Sequence, residues 1–133
     1  MDQPYFLALE QVLRLQASLI DTYGGAPGVR DLGLLQSALA MPQASFGGQV
    51  LHPTVFDQAA AYLYHLVQNH PFVDGNKRIG AASALVFLAM NDIQIEGDED
   101  GLVALTLSVA CGETGKDAIA QWFRRSEERR VGK

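Results

Sequence analysis

The sequence holds a single cysteine, Cys111, so no disulfide can form within the chain and a core must carry its stability. That scarcity suits a reducing cytoplasm. Cys111 itself sits in an apolar segment and reads as a small core residue rather than a nucleophile. No uninterrupted apolar run approaches the roughly 18 residues that a membrane helix needs, so no membrane partner is expected. There is no basic segment near the start, where Asp2 stands, so a secretory leader is not expected either. Positive charge is also short: the net charge of −5 argues against direct nucleic-acid binding. It leaves room for a local cationic patch, which is all that a nucleotide requires. At 133 residues and 48% hydrophobic content, the chain is long enough for one buried core without staples.

What is present reads as helices. Phe6, Leu9, Val12, Leu13, Leu15, Leu19 and Ile20 recur at helical spacing between Tyr5 and Tyr23, and Gly24-Gly25-Ala26-Pro27-Gly28 stops that helix. Asp31 is the expected N-cap of a second helix that Pro42 ends. Arg30, beside it, reads as half of a surface ion pair. Residues 43–53, with Gly47-Gly48, read as a loop in which His52 is solvated. Thr54 caps a third helix, with Asp57 completing a capping box, and Val55, Ala59, Tyr62, Leu63, Leu66 and Val67 form its buried face. From Lys77 to Asn91 the chain is apolar nearly all round, which predicts a central helix kept slim at its start by Gly80, Ala81, Ala82 and Ala84. Ile93-Gln94-Ile95 alternates and reads as the arm of a short strand, with Glu96 to Asp100 as a solvated acidic turn. Leu102–Ala110 and Asp117–Arg125 complete the helices. Gly112-Glu113-Thr114-Gly115-Lys116 resembles a phosphate loop but fails its spacing, since Ala110 and Asp117 stand where Gly and Ser/Thr are needed. The expected organisation is one all-α domain over 1–125, with at most one short β-hairpin, and a charged, disordered tail over 126–133.

Between two of these apolar helices lies His70-Pro71-Phe72-Val73-Asp74-Gly75-Asn76-Lys77-Arg78. Gly75 permits a turn in which backbone approaches a ligand. Asn76-Lys77-Arg78 then open a helix whose unpaired N–H groups favour an anion. Cations are normally placed at the other end of a helix, so two of them here point to a phosphate. Asp74 offers a hard oxygen to Mg²⁺. His70 carries the side chain type best suited to moving protons near neutrality. Phe72 anchors the loop to the core. A metal pair of His65 and His70 is disfavoured, because no further His or Cys completes a set.

This run resembles the signature of the Fic/Doc (Fido) superfamily, His-x-Phe-x-Asp/Glu-Gly/Ala-Asn-x-Arg, and its Asn-Lys-Arg ending looks like the death-on-curing (Doc) branch. Val29-Arg30-Asp31-Leu32-Gly33-Leu34-Leu35-Gln36-Ser37-Ala38-Leu39-Ala40, Phe46-Gly47-Gly48 and Ala81–Leu88 are similar to Doc proteins as well, so the likeness covers residues 5–125. It implies a compact helical bundle whose active loop leads into a buried central helix. It also implies a toxin that uses ATP and Mg²⁺ to phosphorylate a hydroxyl of a translation elongation factor. On the matching positions, His70, Asp74 and Arg78 would be catalytic. Gly75, Asn76, Lys77 and Arg78 would hold phosphate, and Asp74 the metal. Segment 43–53 would be the target-binding flap. Fic-type adenylyltransferases instead carry Gly at the place of Lys77 and a second Arg where Ala81 stands, which keeps AMP transfer as the alternative; an inactive binding module is a further one. No Ser or Thr is followed by Glu four residues on, as the inhibitory helix of many Fic proteins requires. Restraint would then come from a Phd-like antitoxin docking near the loop.

Overall fold

A computed structural model describes residues 3–131, and the side chains of 3–127. Six helices dominate: α1 (Leu9–Tyr23), α2 (Leu32–Ala40), α3 (Val55–Asn69), α4 (Asn76–Met90), α5 (Glu99–Ala110) and α6 (Lys116–Val131). A 3-10 turn, Met41–Gln43, leads from α2 into an antiparallel hairpin, β1 (Ser45–Phe46) and β2 (Gln49–Val50).

The sequence caps the helices as expected. The Asp31 carboxylate accepts from Leu34 N–H at 2.9 Å, and Thr54 with Asp57 forms a capping box on α3. The strand sits elsewhere than expected: residues 93–95 form none, and the hairpin is built on Gly47-Gly48. With φ of 59° and 82°, these two supply the paired positive dihedrals that a tight two-residue hairpin turn needs. The acidic turn is also different. Asp98 caps α5 through Gly101 N–H at 2.9 Å, and Glu99 and Asp100 fill the first turn, where the helix dipole favours negative charge. Cys111 ends α5 and is exposed rather than in the core. The last helix runs on to Val131; the tail expected over 126–133 falls in part outside the described residues.

α3 lies at the middle of the bundle, meeting α2, α4, α5, α6 and the 3-10 turn. Ala59, Ala60, Ala61, Tyr62, Leu63 and Leu66 are fully enclosed. Its closest neighbour is α4, and Gly80 is the reason: a Cβ there would stand 2.8 Å from Val67 Cγ2 and 3.1 Å from the Leu63 carbonyl oxygen. Ile79, Ala84, Phe87 and Leu88 bury the same side of α4. The opposite side is not enclosed: Ala81 and Ala82 are half-buried and Val86 is exposed. The small side chains that let α3 approach thus also leave an open wall beside the helix start. Tyr62 closes the base of the core, its hydroxyl accepting from Leu7 N–H at 2.9 Å and its ring 5.1 Å from Phe87.

Candidate active site

The nine-residue run joins the end of α3 to the start of α4. His70 terminates α3 in the left-handed conformation (φ 52°, ψ 51°). Pro71 and Phe72 then turn inward and are buried, Phe72 completely. Phe72 also pairs with Val29 as an isolated antiparallel bridge. Arg30 N–H and Asp31 N–H both donate to the Pro71 carbonyl, at 2.7 and 3.0 Å, and Val73 N–H donates to the Gly28 carbonyl at 3.0 Å. The loop is therefore stitched to the segment before α2.

Asn76 closes the other side. Its side chain accepts from Phe72 N–H at 2.9 Å and donates to the Phe72 carbonyl at 3.0 Å, buried in both contacts. Its amide group holds the loop shut, and only its backbone N–H is left for a ligand. Gly75 has φ 77° and ψ 21°, the left-handed turn its residue type permits. No side chain caps α4, so the N–H groups of Asn76, Lys77 and Arg78 stand open at the positive end of the helix. Lys77 and Arg78 are exposed beside them, and the Arg78 guanidinium lies 4.5 Å over the Tyr23 ring.

Asp74 faces the glycine run. One carboxylate oxygen accepts from Gly75 N–H at 2.9 Å and the other from Ala26 N–H at 3.2 Å. Gly25 makes that approach possible, since a Cβ there would lie 2.7 Å from the carboxylate. Each oxygen retains a further lone pair. Among the described residues no group of three or more His, Cys, Asp or Glu could hold a metal. Asp74 is therefore not part of a carboxylate or histidine cluster built by the described residues.

His70, Asp74, Gly75, Asn76, Lys77 and Arg78 all line one cleft of about 630 Å³. Leu19 and Tyr23 of α1 also line it, with Leu102, Val103, Thr106 and Leu107 of α5, so the polar loop shares the cleft with mostly apolar helix side chains. Among the described residues, Glu99 is the cleft's one further charged side chain.

Three features escaped the sequence reading. Arg30 forms no pair with Asp31; its Nε donates to the His70 carbonyl at 2.7 Å and its Nη2 to that of Asn69 at 3.1 Å. Tyr23 reaches Arg78 from the end of α1. Finally, His52 is buried, not solvated: Lys116 Nζ lies 3.1 Å from the Nε2 atoms of both His52 and His65. Burial, then the Lys116 charge, then His52, bring the His65 imidazole down to about 4, and burial with Lys116 lowers His52. Burial lowers Lys116 in turn. This cluster, and not a pair with His70, is what His65 serves. Asp57 and Asp117 stand beside the cluster; Asp57 partly offsets the lowering at His52, and Asp117 that at Lys116.

Comparison with known proteins agrees with this geometry. The model of the Fic/DOC family matches residues 6–88. Toxin Doc of Mycolicibacterium smegmatis is 47% identical over 78 residues, which is 59% of this chain and 60% of that toxin's length. Protein kinase doc of Escherichia phage P1 is 34% identical over 116 residues, covering 87% of this chain and 90% of the phage protein. Matched across most of its length and through the whole loop from His70 to Arg78, the chain belongs to the Fic/DOC family.

Proposed function

We propose that this chain is a toxin that transfers a phosphoryl group from ATP to a hydroxyl of a protein, a translation elongation factor, and so stalls bacterial protein synthesis. The observation that carries this reading is the sharing of one cleft by His70 and the open N-terminus of α4. The phosphates of ATP lie against the N–H groups of Asn76, Lys77 and Arg78, with the Lys77 and Arg78 side chains balancing their charge. His70, lining the same cleft, accepts the proton of the attacking hydroxyl. Phosphoryl transfer asks chiefly for such positioning and electrostatics. Asp74 would hold Mg²⁺, which would supply charge neutralisation. The apolar walls of α1 and α5 receive the nucleoside.

Two points favour phosphate over AMP. Ala81 lines the cleft with no charge where a second arginine would stand, and the phage P1 relative is named a protein kinase. The name of the mycobacterial relative, a toxin, supports restraint by a cognate antitoxin of the Phd-like kind. Its place is beside the active loop, where Val103 and Leu107 of α5 leave apolar surface 57% and 48% exposed. No described helix is long and apolar enough to cross a membrane, which is compatible with work in the cytoplasm.

Induction of the chain in a bacterial host, beside His70→Ala at matched expression, tests the reading. Growth arrest by the native chain alone is expected. Arrest by both would mean that binding does the harm, and arrest by neither would remove the toxin reading for that host.

A further inference from the structure

We propose that Arg30 is the positioning residue for His70: its guanidinium, clamped on the last two carbonyls of α3, holds the left-handed turn that keeps the imidazole in the cleft. The inference rests on the reading of His70 as the proton acceptor.

Among the described residues, His70 is one of two non-glycine residues with positive φ, at 52°. Such a conformation is uncommon for a residue with a Cβ, and persists where its surroundings over-determine it. The proline that follows adds to the tension, because a residue before proline prefers extended backbone. Something must therefore oppose relaxation of His70 toward the extended region, a change that would re-aim the imidazole relative to the cleft that His70 lines. Arg30 is placed to do this. Nε meets the His70 carbonyl at 2.7 Å and Nη2 the Asn69 carbonyl at 3.1 Å. These are helix-terminal carbonyls that lack intrahelical partners, at the negative end of the α3 dipole. The planar fork matches two adjacent acceptors in a way an ammonium cannot.

The clamp is itself rigid. Arg30 N–H and Asp31 N–H grip the Pro71 carbonyl, Asp31 caps α2, and Asn69 Nδ2 donates to the Leu34 carbonyl at 3.0 Å. The start of α2 and the end of α3 thus form one body around the turn. Arg30 does not line the cleft, so it reaches the chemistry only through His70.

The test compares Arg30→Lys, Arg30→Met and His70→Ala with the native chain. Three quantities are read: transfer of labelled γ-phosphate to a bacterial elongation factor, affinity for Mg²⁺–ATP by calorimetry, and melting temperature. The expected pattern is a split. Turnover falls about 100-fold in Arg30→Met and less in Arg30→Lys, which keeps one donor, while ATP affinity stays within about twofold, since misplacement of a catalytic group costs rate and not ground-state binding. If Arg30→Met does not fold, Arg30→Lys decides by the same split. Native turnover in a folded Arg30 variant, with His70→Ala inactive, would overturn the inference and leave the reading of the site intact. Loss of ATP affinity in step with turnover would also overturn it, by making Arg30 a general support of the loop. Native turnover in His70→Ala would remove the reading of His70 and the inference with it.

Discussion

Replacing Asn76 by alanine tests whether its side chain is the clamp that holds the loop closed. In the folded chain the Asn76 side chain satisfies both backbone groups of Phe72, at 2.9 and 3.0 Å, in a place closed to water. Phe72 is wholly buried, so water cannot replace the lost partner at its N–H or carbonyl without opening the anchor. A buried group left without its partner costs about 1–3 kcal/mol. Two such groups, in part relieved by local loosening of the loop, give an expected loss of about 2–4 kcal/mol. For a domain of this size that corresponds to a fall in Tm of roughly 6–16 °C. Asn76→Asp keeps the acceptor for Phe72 N–H but sets a carboxylate oxygen against the Phe72 carbonyl, so it should lose a similar amount at neutral pH. Urea titration and thermal melting followed by circular dichroism measure both variants. A Tm within 2 °C of the native value for Asn76→Ala would refute the clamp, and with it the idea that this side chain is structural.

Three further outcomes follow from the same geometry. Below pH 6.5 the chain should lose stability. The unfolded state protonates its histidines near 6.5, whereas folded His65 stays neutral down to about 4 and His52 is shifted the same way, so the unfolded state binds more protons across that window. Discounted for the solvent that reaches half of the His65 site, the loss is about 1 kcal/mol between pH 6.5 and 5, and a His52→Gln/His65→Gln double variant should show a flatter profile in urea melts. Gly80→Ala should destabilise by about 1–2 kcal/mol: the new methyl meets Val67 and the Leu63 carbonyl, and the roughly 1 kcal/mol that alanine gains over glycine in a helix offsets only part of the strain. ATP with Mg²⁺ at about 100 times its Kd should stabilise the native chain by about 2.7 kcal/mol, and Lys77→Ala/Arg78→Ala should lose most of that gain at the same nucleotide concentration.

Much of this molecule is written in short-range patterns. Asp31 and Thr54 cap helices three residues away, Gly75 makes its own turn, and the alternation of apolar residues along α3 marks the face that the core encloses. Local signals of this kind can be read along the chain. The residues misread are those whose partners lie far off. Arg30 finds its acceptors 39 and 40 positions later, and Lys116 meets His52 and His65 across 64 and 51 positions. No composition rule links such residues before the helices are packed. Cys111 shows the reverse error: an apolar neighbourhood in sequence does not make a buried one in space, because α5 covers the core with one face and leaves Val103 and Leu107 open to the cleft side. In the loop, residue types suggest a site, and only the packed structure shows where each side chain goes. Asn76 and Phe72 build the turn, Asp74 leans on Ala26 and Gly75, and the open amides of α4 with Lys77 and Arg78 face the cleft.

The central claim is that the cleft between His70 and α4 moves the terminal phosphate of ATP onto protein. The most direct measurement incubates the purified chain with a bacterial extract and ATP labelled at either the γ- or the α-phosphate, beside His70→Ala, and reads the label retained on protein. Label from the γ-position alone is expected, reduced at least about 100-fold in His70→Ala, as loss of a general base implies. Label from the α-position, or γ-label that survives the loss of His70, would contradict it.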